Sequence, residues 1–176
     1  MSPAAKTEPK PAKKASAKQV ATSYFEAIGR QDLDAMMDHW EPGGIGHIHG
    51  VANLRAPEGY RQWFGAMFRA MPDFKMEIVD MVAYGDKAAV RWKASGTFNG
   101  SERFEGLEPT GERVDMEGCD LLTISDGLVC ENRAYMNATE MARQLGAMPP
   151  AGSVGEKAML GAVNLRTRAK GLLAKR

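Results

Sequence analysis

Two aspartates and two histidines are the side chains in this sequence with the most chemistry to offer. Asp115 and Asp120 lie in residues 113 to 124, whose alternation predicts a strand. In a regular strand Val114, Met116, Gly118, Asp120, Leu122 and Ile124 share one face, and Asp115, Glu117, Cys119, Leu121 and Thr123 share the other. Asp120 is then an isolated charge among apolar neighbours, whereas Asp115 stands beside a second carboxylate. A carboxylate in an apolar pocket has a raised pKa and suits general acid/base work. His47 and His49 fall at i and i+2 of a short extended stretch, so they point the same way. Such a pair can act as donor and base, or as half of a metal site. His39 is the third and last histidine, and no further ligand follows by spacing, so neither a metal nor a cofactor is expected.

The surroundings suit an apolar ligand. Trp40, Tyr60, Trp63, Phe64, Trp92 and many of the twelve methionines are candidates for a pocket wall that takes a flat or aliphatic molecule. Arg133 and Tyr135 share a strand face, alternating with Asn132 and Ala134, and with Asn137 they offer a polar cluster for the pocket floor. Tyr24 and Tyr135 are candidate hydroxyl donors. The plainer alternative makes most of these aromatics core, leaves Asp115 in solvent, and pairs a buried Asp120 with an arginine such as Arg91 or Arg133.

The elements that must position these groups follow from period and punctuation. Ser16 with Gln19 forms a capping box before a helix that reaches Ile28 and ends at Gly29. Asp32 caps a second short helix that carries Leu33, Met36, Met37 and Trp40, and Glu41-Pro42-Gly43-Gly44 breaks it. A third helix begins near Pro57, with Tyr60, Trp63, Phe64, Met67, Phe68 and Met71 recurring at three and four. Strands are predicted at 75 to 83, 88 to 95, 113 to 124 and 128 to 136, with a polar loop at 98 to 112. Ser125-Asp126-Gly127 marks a tight hairpin. A short helix from Thr139 to Leu145, a linker over 148 to 154 and a basic helix over 155 to 176 complete the chain. Helices followed by a meander make an α+β domain over 16 to 147, whose sheet packs against the N-terminal helices and can hold a ligand between the layers.

Composition sets outer bounds. The chain has 176 residues, 44% hydrophobic and 26% charged, as expected for one globular domain. Lysines dominate the first 18 residues and basic residues the last 21, so the body between them is acidic. An acidic body argues against specific nucleic-acid binding. Membrane contact is open only to the basic termini. Residues 1 to 15, rich in Ala, Lys and Pro, are expected to be a disordered tail. No apolar run follows the first lysines and none is long enough to span a bilayer, so a cytoplasmic location is expected. Cys119 and Cys130 cannot make a disulfide framework. Phosphate-loop, dinucleotide and Gly-x-Ser-x-Gly motifs are absent from the sequence.

Several stretches together carry a resemblance. They are Ala21 to Phe25 with Asp32-Leu33-Asp34-Ala35, then Met71-Pro72-Asp73-Phe74, Gly85-Asp86-Lys87, Gly96-Thr97-Phe98-Asn99-Gly100, Pro109-Thr110-Gly111 with Val114, Gly118, Asp126-Gly127-Leu128-Val129 and Arg143-Gln144-Leu145-Gly146. In order and spacing, residues 18 to 147 resemble the SnoaL-like polyketide cyclases, or ester cyclases, of the nuclear transport factor 2-like superfamily. The resemblance implies a cone-shaped α+β fold with a curved mixed or antiparallel sheet around an apolar pocket, and a homodimer. It also implies ring closure by an intramolecular aldol step without a cofactor, in which an aspartate takes and returns the proton near a histidine. By order that aspartate falls on Asp115 or Asp120. The family histidine falls on Phe98, which cannot donate to an oxyanion, and His49 is a candidate replacement. Two functions therefore stand at this stage. One is acid/base chemistry (cyclisation or isomerisation) on an apolar carbonyl compound. The other is a non-catalytic small-molecule binder or dimeric scaffold.

Overall fold

The computed structural model of the chain describes residues 15–173. All but the last residue of the tail read over 1 to 15 lies outside the described residues, as do 174 to 176. The first helix, α1 (Ala17–Gly29), starts on the expected capping box: the Ser16 hydroxyl accepts from the Gln19 N–H, and the Ser16 N–H donates to Gln19 Oε1 at 2.9 Å. Its apolar stripe buries Val20, Tyr24, Phe25, Ala27 and Ile28. Asp32 caps α2 (Leu33–Asp38) by accepting the Ala35 N–H at 3.1 Å.

The helix stops at Asp38, and Trp40 opens strand β1 (Trp40–Ile48) instead of closing α2. Glu41 to Gly44 do not simply end a helix; they form an irregular part of the strand. Pairing decides this. The Val129 N–H donates to the His39 carbonyl, and Gly43 and Gly44 exchange backbone bonds with Ala56, so strand pairing satisfies backbone groups that a longer helix would have used internally. The short β2 (Ala52–Arg55) pairs antiparallel with β1. The helix α3 (Glu58–Ala70) turns Tyr60, Phe64, Met67 and Phe68 inward, as its period requires.

Four long strands follow: β3 (Lys75–Tyr84), β4 (Lys87–Thr97), β5 (Arg113–Ser125) and β6 (Leu128–Met136). They form the antiparallel meander β3-β4-β5-β6, and β1 joins β6 in parallel, giving the order β2-β1-β6-β5-β4-β3. The result is the expected α+β architecture, a curved mixed sheet covered on one face by α1, α2 and α3. Val90, Trp92, Val114, Leu122 and Val129 face the helices and make the core with them. Two more helices, α4 (Ala138–Gln144) and α5 (Val154–Leu173), close the described chain. Arg143 on α4 meets Glu156 on α5 at 2.7 Å, but the side chains of α5 from Val154 to Gly171 are almost all exposed. No described helix is long and apolar enough to cross a membrane.

One irregularity in the β5–β6 hairpin decides which side chains face inward. Ile124 pairs with Val129, but Thr123 pairs with Glu131, so Cys130 is an extra residue in β6. Such a bulge shifts every later residue to the opposite face. Beyond it Leu122 lies opposite Asn132, Asp120 opposite Ala134 and Gly118 opposite Met136. Were Cys130 paired in register instead, Asp120 would lie opposite Arg133. Deleting Cys130 should therefore regularise the hairpin and leave Glu131 opposite Thr123 and Asn132 opposite Leu122, still inward. The expected outcome is that near-ultraviolet circular dichroism and a cooperative urea transition are both kept. A variant that lost both would show that Cys130 does more than take up one residue of register.

Candidate active site

Asp120 is the buried carboxylate of the sheet's inner face, with 6% of its surface exposed. Parity on β5 turns it toward the helices, and two donors meet it. The indole N–H of Trp92 donates to Oδ1 at 2.7 Å, and the carboxamide Nδ2 of Asn132 donates to Oδ2 at 2.7 Å. Among the described residues no cation pairs with it. Burial pushes its pKa up to about 6, although the Trp92 and Asn132 hydrogen bonds pull the other way. The arginine partner considered for Asp120 is thus replaced by neutral donors. Arg91 lies on the outer face with Glu117, and Arg133 pairs there with Glu131.

Two glycines make room for this arrangement. A Cβ on Gly118 would run into the Trp92 indole, and a Cβ on Gly46 would run into the Tyr60 phenol. Tyr60 thereby reaches the floor, where its hydroxyl oxygen lies 3.5 Å from Asn132 Nδ2. Burial raises the pKa of both Tyr60 and Tyr24, so both phenols stay protonated donors near neutral pH. The Tyr24 hydroxyl is buried and has no hydrogen-bond partner among the described residues.

Above the carboxylate the wall is apolar. Phe25, Phe64, Phe74, Phe104, Trp63 and Leu145 contribute to it, as do six methionines: Met67, Met71, Met76, Met116, Met136 and Met141. The space left inside is about 40 Å³, room for water-sized occupants only. A larger ligand must therefore displace wall atoms, and unbranched methionine side chains move at low cost. Trp63 also ties the wall to the loop that carries Phe104, donating its indole N–H to Glu105 at 2.8 Å.

The candidates read from the sequence separate cleanly. Asp120, Trp63, Phe64 and Trp92 line the cavity. Trp40 and Phe98 are buried behind the wall, Trp40 against the rings of Tyr24 and Tyr60. Asp115 is exposed and bridged to Arg113 at 3.0 Å, because odd positions of β5 face outward. His47 and His49 do share a face, but it is the outer one: His47 bonds Asn53 and His49 stacks on Tyr135 at 4.2 Å. Arg133 and Tyr135 lie on that outer face too, through the bulge at Cys130, and Asn137 caps α4 by accepting the Glu140 N–H. None of these six belongs to the cavity floor. Asn132 and Tyr60 take that place, and only the alternation of Asn132 with Arg133 pointed toward it. Among the described residues no three or more His, Cys, Asp and Glu side chains gather as metal ligands.

The sequence profile of the SnoaL-like polyketide cyclases matches residues 18–145. The chain belongs to that family. Solved structures agree with this. TsrD from Streptomyces laurentii is 28% identical to this SnoaL-like chain, with a TM-score of 0.64 over 77% of this chain and 98% of that one. AclR from Streptomyces galilaeus, provisionally described as a hydroxylase, is 26% identical, with a TM-score of 0.66 over 76% and 97%. IdmH from Streptomyces antibioticus, provisionally described as a polyketide cyclase, is 25% identical, with a TM-score of 0.61 over 74% and 98%. A comparison with curated proteins gives no match. Of the two aspartates near the family's position on this strand, Asp120 is the one in the cavity.

The raised pKa of Asp120 has a consequence for stability. Between about pH 4 and about pH 6 the folded SnoaL-like domain holds a proton that the unfolded chain has released, so stability falls as pH rises through that window. A shift of this size is worth ~3 kcal/mol. Urea unfolding of the wild type and of Asp120→Asn should therefore diverge by about that much between pH 4 and pH 7, with the asparagine variant gaining relative to wild type at the higher pH. A constant difference would mean that Asp120 titrates normally.

Proposed function

We propose that the chain is a cofactor-free acid/base enzyme that takes an apolar carbonyl compound into the cavity and moves a proton at the carbon next to the carbonyl. One observation carries this reading: a buried carboxylate, its pKa pushed up to about 6 by burial and with no cation beside it among the described residues, at the floor of an apolar cavity. Ionised Asp120 would take the α-proton, and the C–H electron pair would pass to the carbonyl oxygen as an enolate. The neutral hydroxyls of Tyr60 and Tyr24 are the donors available to that oxyanion. The enolate carbon would then bond to a second carbonyl carbon, whose alkoxide recovers the proton from Asp120, completing an aldol closure. Return of the proton to a different carbon would be an isomerisation. Family membership supports the cyclase-type reading.

Exchange of ketone α-protons in heavy water tests the first step. Wild type should accelerate exchange into enolisable bicyclic ketones, with a rate that rises through pH 6 as the base ionises. Asp120→Asn should lose on the order of 10²–10⁴-fold. The place of the family histidine is taken by Phe98, and this favours a second reading, carriage of a small molecule without turnover. Binding of ketones with no exchange above background would select it.

The outer sheet face supports a homodimer. Leu121, Tyr135, Ile45, Val82 and Tyr84 are exposed there, interleaved with Arg91, Lys93 and Glu117, so two copies offer each other both apolar area and opposite charges. Sedimentation should show a dimer that Leu121→Glu with Tyr135→Glu converts to monomer. A monomeric wild type at micromolar concentration would end this part of the proposal.

A further inference from the structure

The carboxamide of Asn132 has one end committed and one end free. Its Nδ2 donates to the Asp120 carboxylate at 2.7 Å and lies 3.5 Å from the Tyr60 oxygen. Its Oδ1 is buried and accepts no hydrogen bond from the described residues, and Asn132 is only 3% exposed and lines the cavity. Turning the amide over would not help. It would place two acceptor oxygens against each other, which is repulsive while Asp120 is ionised. The Tyr24 and Tyr60 hydroxyls line the same cavity but make no hydrogen bond to Oδ1. The Trp92 N–H serves Asp120 Oδ1, and β6 is paired on both sides, to β5 and to β1, so its backbone donors serve the sheet. A buried acceptor without a partner is a liability unless what enters the cavity satisfies it.

From this we infer that Asn132 Oδ1 is the receptor for a hydroxyl of the bound molecule, and that the ligand class is β-hydroxy ketones. The inference rests on the reading of the cavity as a ligand site. The spacing selects the class. Nitrogen and oxygen of one carboxamide are roughly 2.2 Å apart, so Oδ1 stands within about 5 Å of the carboxylate oxygen that Nδ2 touches. A ligand that carries the two on the same or adjacent carbons can give a C–H to Asp120 and an O–H to Asn132 at once. A β-hydroxy ketone does so, with its hydroxyl one carbon from the acidic position. That is also the functional group an aldol closure creates. Asn132 would then hold the new hydroxyl while Asp120 completes the proton return. It is a specificity-determining residue that touches the ligand directly, and its free acceptor penalises any compound lacking the O–H.

A matched pair of small bicyclic ketones tests this, 1-indanone and 3-hydroxy-1-indanone, titrated into the full chain by calorimetry with Trp63 and Trp92 fluorescence as a second signal. Wild type should bind the hydroxy ketone at least tenfold more tightly. Asn132→Leu, similar in size but without either polar atom, should bind both compounds within twofold, and Asn132→Ser should keep an intermediate preference. Binding of both compounds by wild type within twofold, or an undiminished preference in Asn132→Leu, would overturn the role of Asn132 and leave the cavity a ligand site. Binding of neither compound by folded wild type would overturn the ligand-site reading and this inference with it. If the leucine variant fails to fold, the wild-type ratio and Asn132→Ser decide the matter.

Discussion

A single buried carboxylate, with no counter-charge among the described residues, governs the inner architecture of this domain. Removing a carboxylate from water costs several kcal/mol even after relaxation. The Trp92 N–H and the Asn132 amide offset part of that with two short charge-assisted bonds. Each donor in turn has its own requirement. The indole needs the missing side chain of Gly118, the amide needs the bulge at Cys130 to bring it inside, and Tyr60 needs the missing side chain of Gly46. What the donors leave uncompensated persists as a raised pKa. The fold thus gives up stability at neutral pH to keep a base at working strength, the usual trade at reactive sites.

Floor and wall of the cavity obey different rules. The floor is polar, hydrogen-bonded and anchored in three central strands, so its atoms are held in place by the sheet. Six methionines and a loop-borne phenylalanine make up much of the wall, and they close the space to about 40 Å³. Shape selection by such a wall is weak, because it must yield before anything larger than water can enter. Chemical selection falls to the few polar atoms at the bottom. The outer face of the same sheet carries a separate population of residues, including both strand histidines, that take no part in the floor.

Most of the fold was legible because its signals are local. The Ser16–Gln19 box, the stripe from Tyr60 to Phe68 and the turn at Ser125-Asp126-Gly127 each read correctly from a few neighbouring residues. The stretch from Trp40 to Gly44 did not, because strand pairing with β6, nearly ninety residues away, overrides local breakers there. At the site, parity along β5 separated Asp120 from Asp115 without outside help. On β6 parity paired the right residues and assigned them to the wrong face, since nothing local in Leu128 to Glu131 announces that Cys130 is an extra residue. Arg133, Tyr135 and Asn137 were carried to the floor by that error, and Asn132 was carried away from it. Tyr60 was read as wall because its reach depends on Gly46, which no spacing within α3 reveals.

The methionine wall bears on how such a domain can diversify. Exchanging one thioether for a leucine, phenylalanine or alanine reshapes the space above the carboxylate while leaving strand register, helix caps and the proton-handling floor untouched. Duplicated copies of the gene can therefore acquire new ligands through single, nearly neutral steps. A change of reaction would require coordinated alteration of a glycine, a bulge and an aromatic donor together. Lineages built on this plan should drift readily in what they hold and slowly in what they do to it.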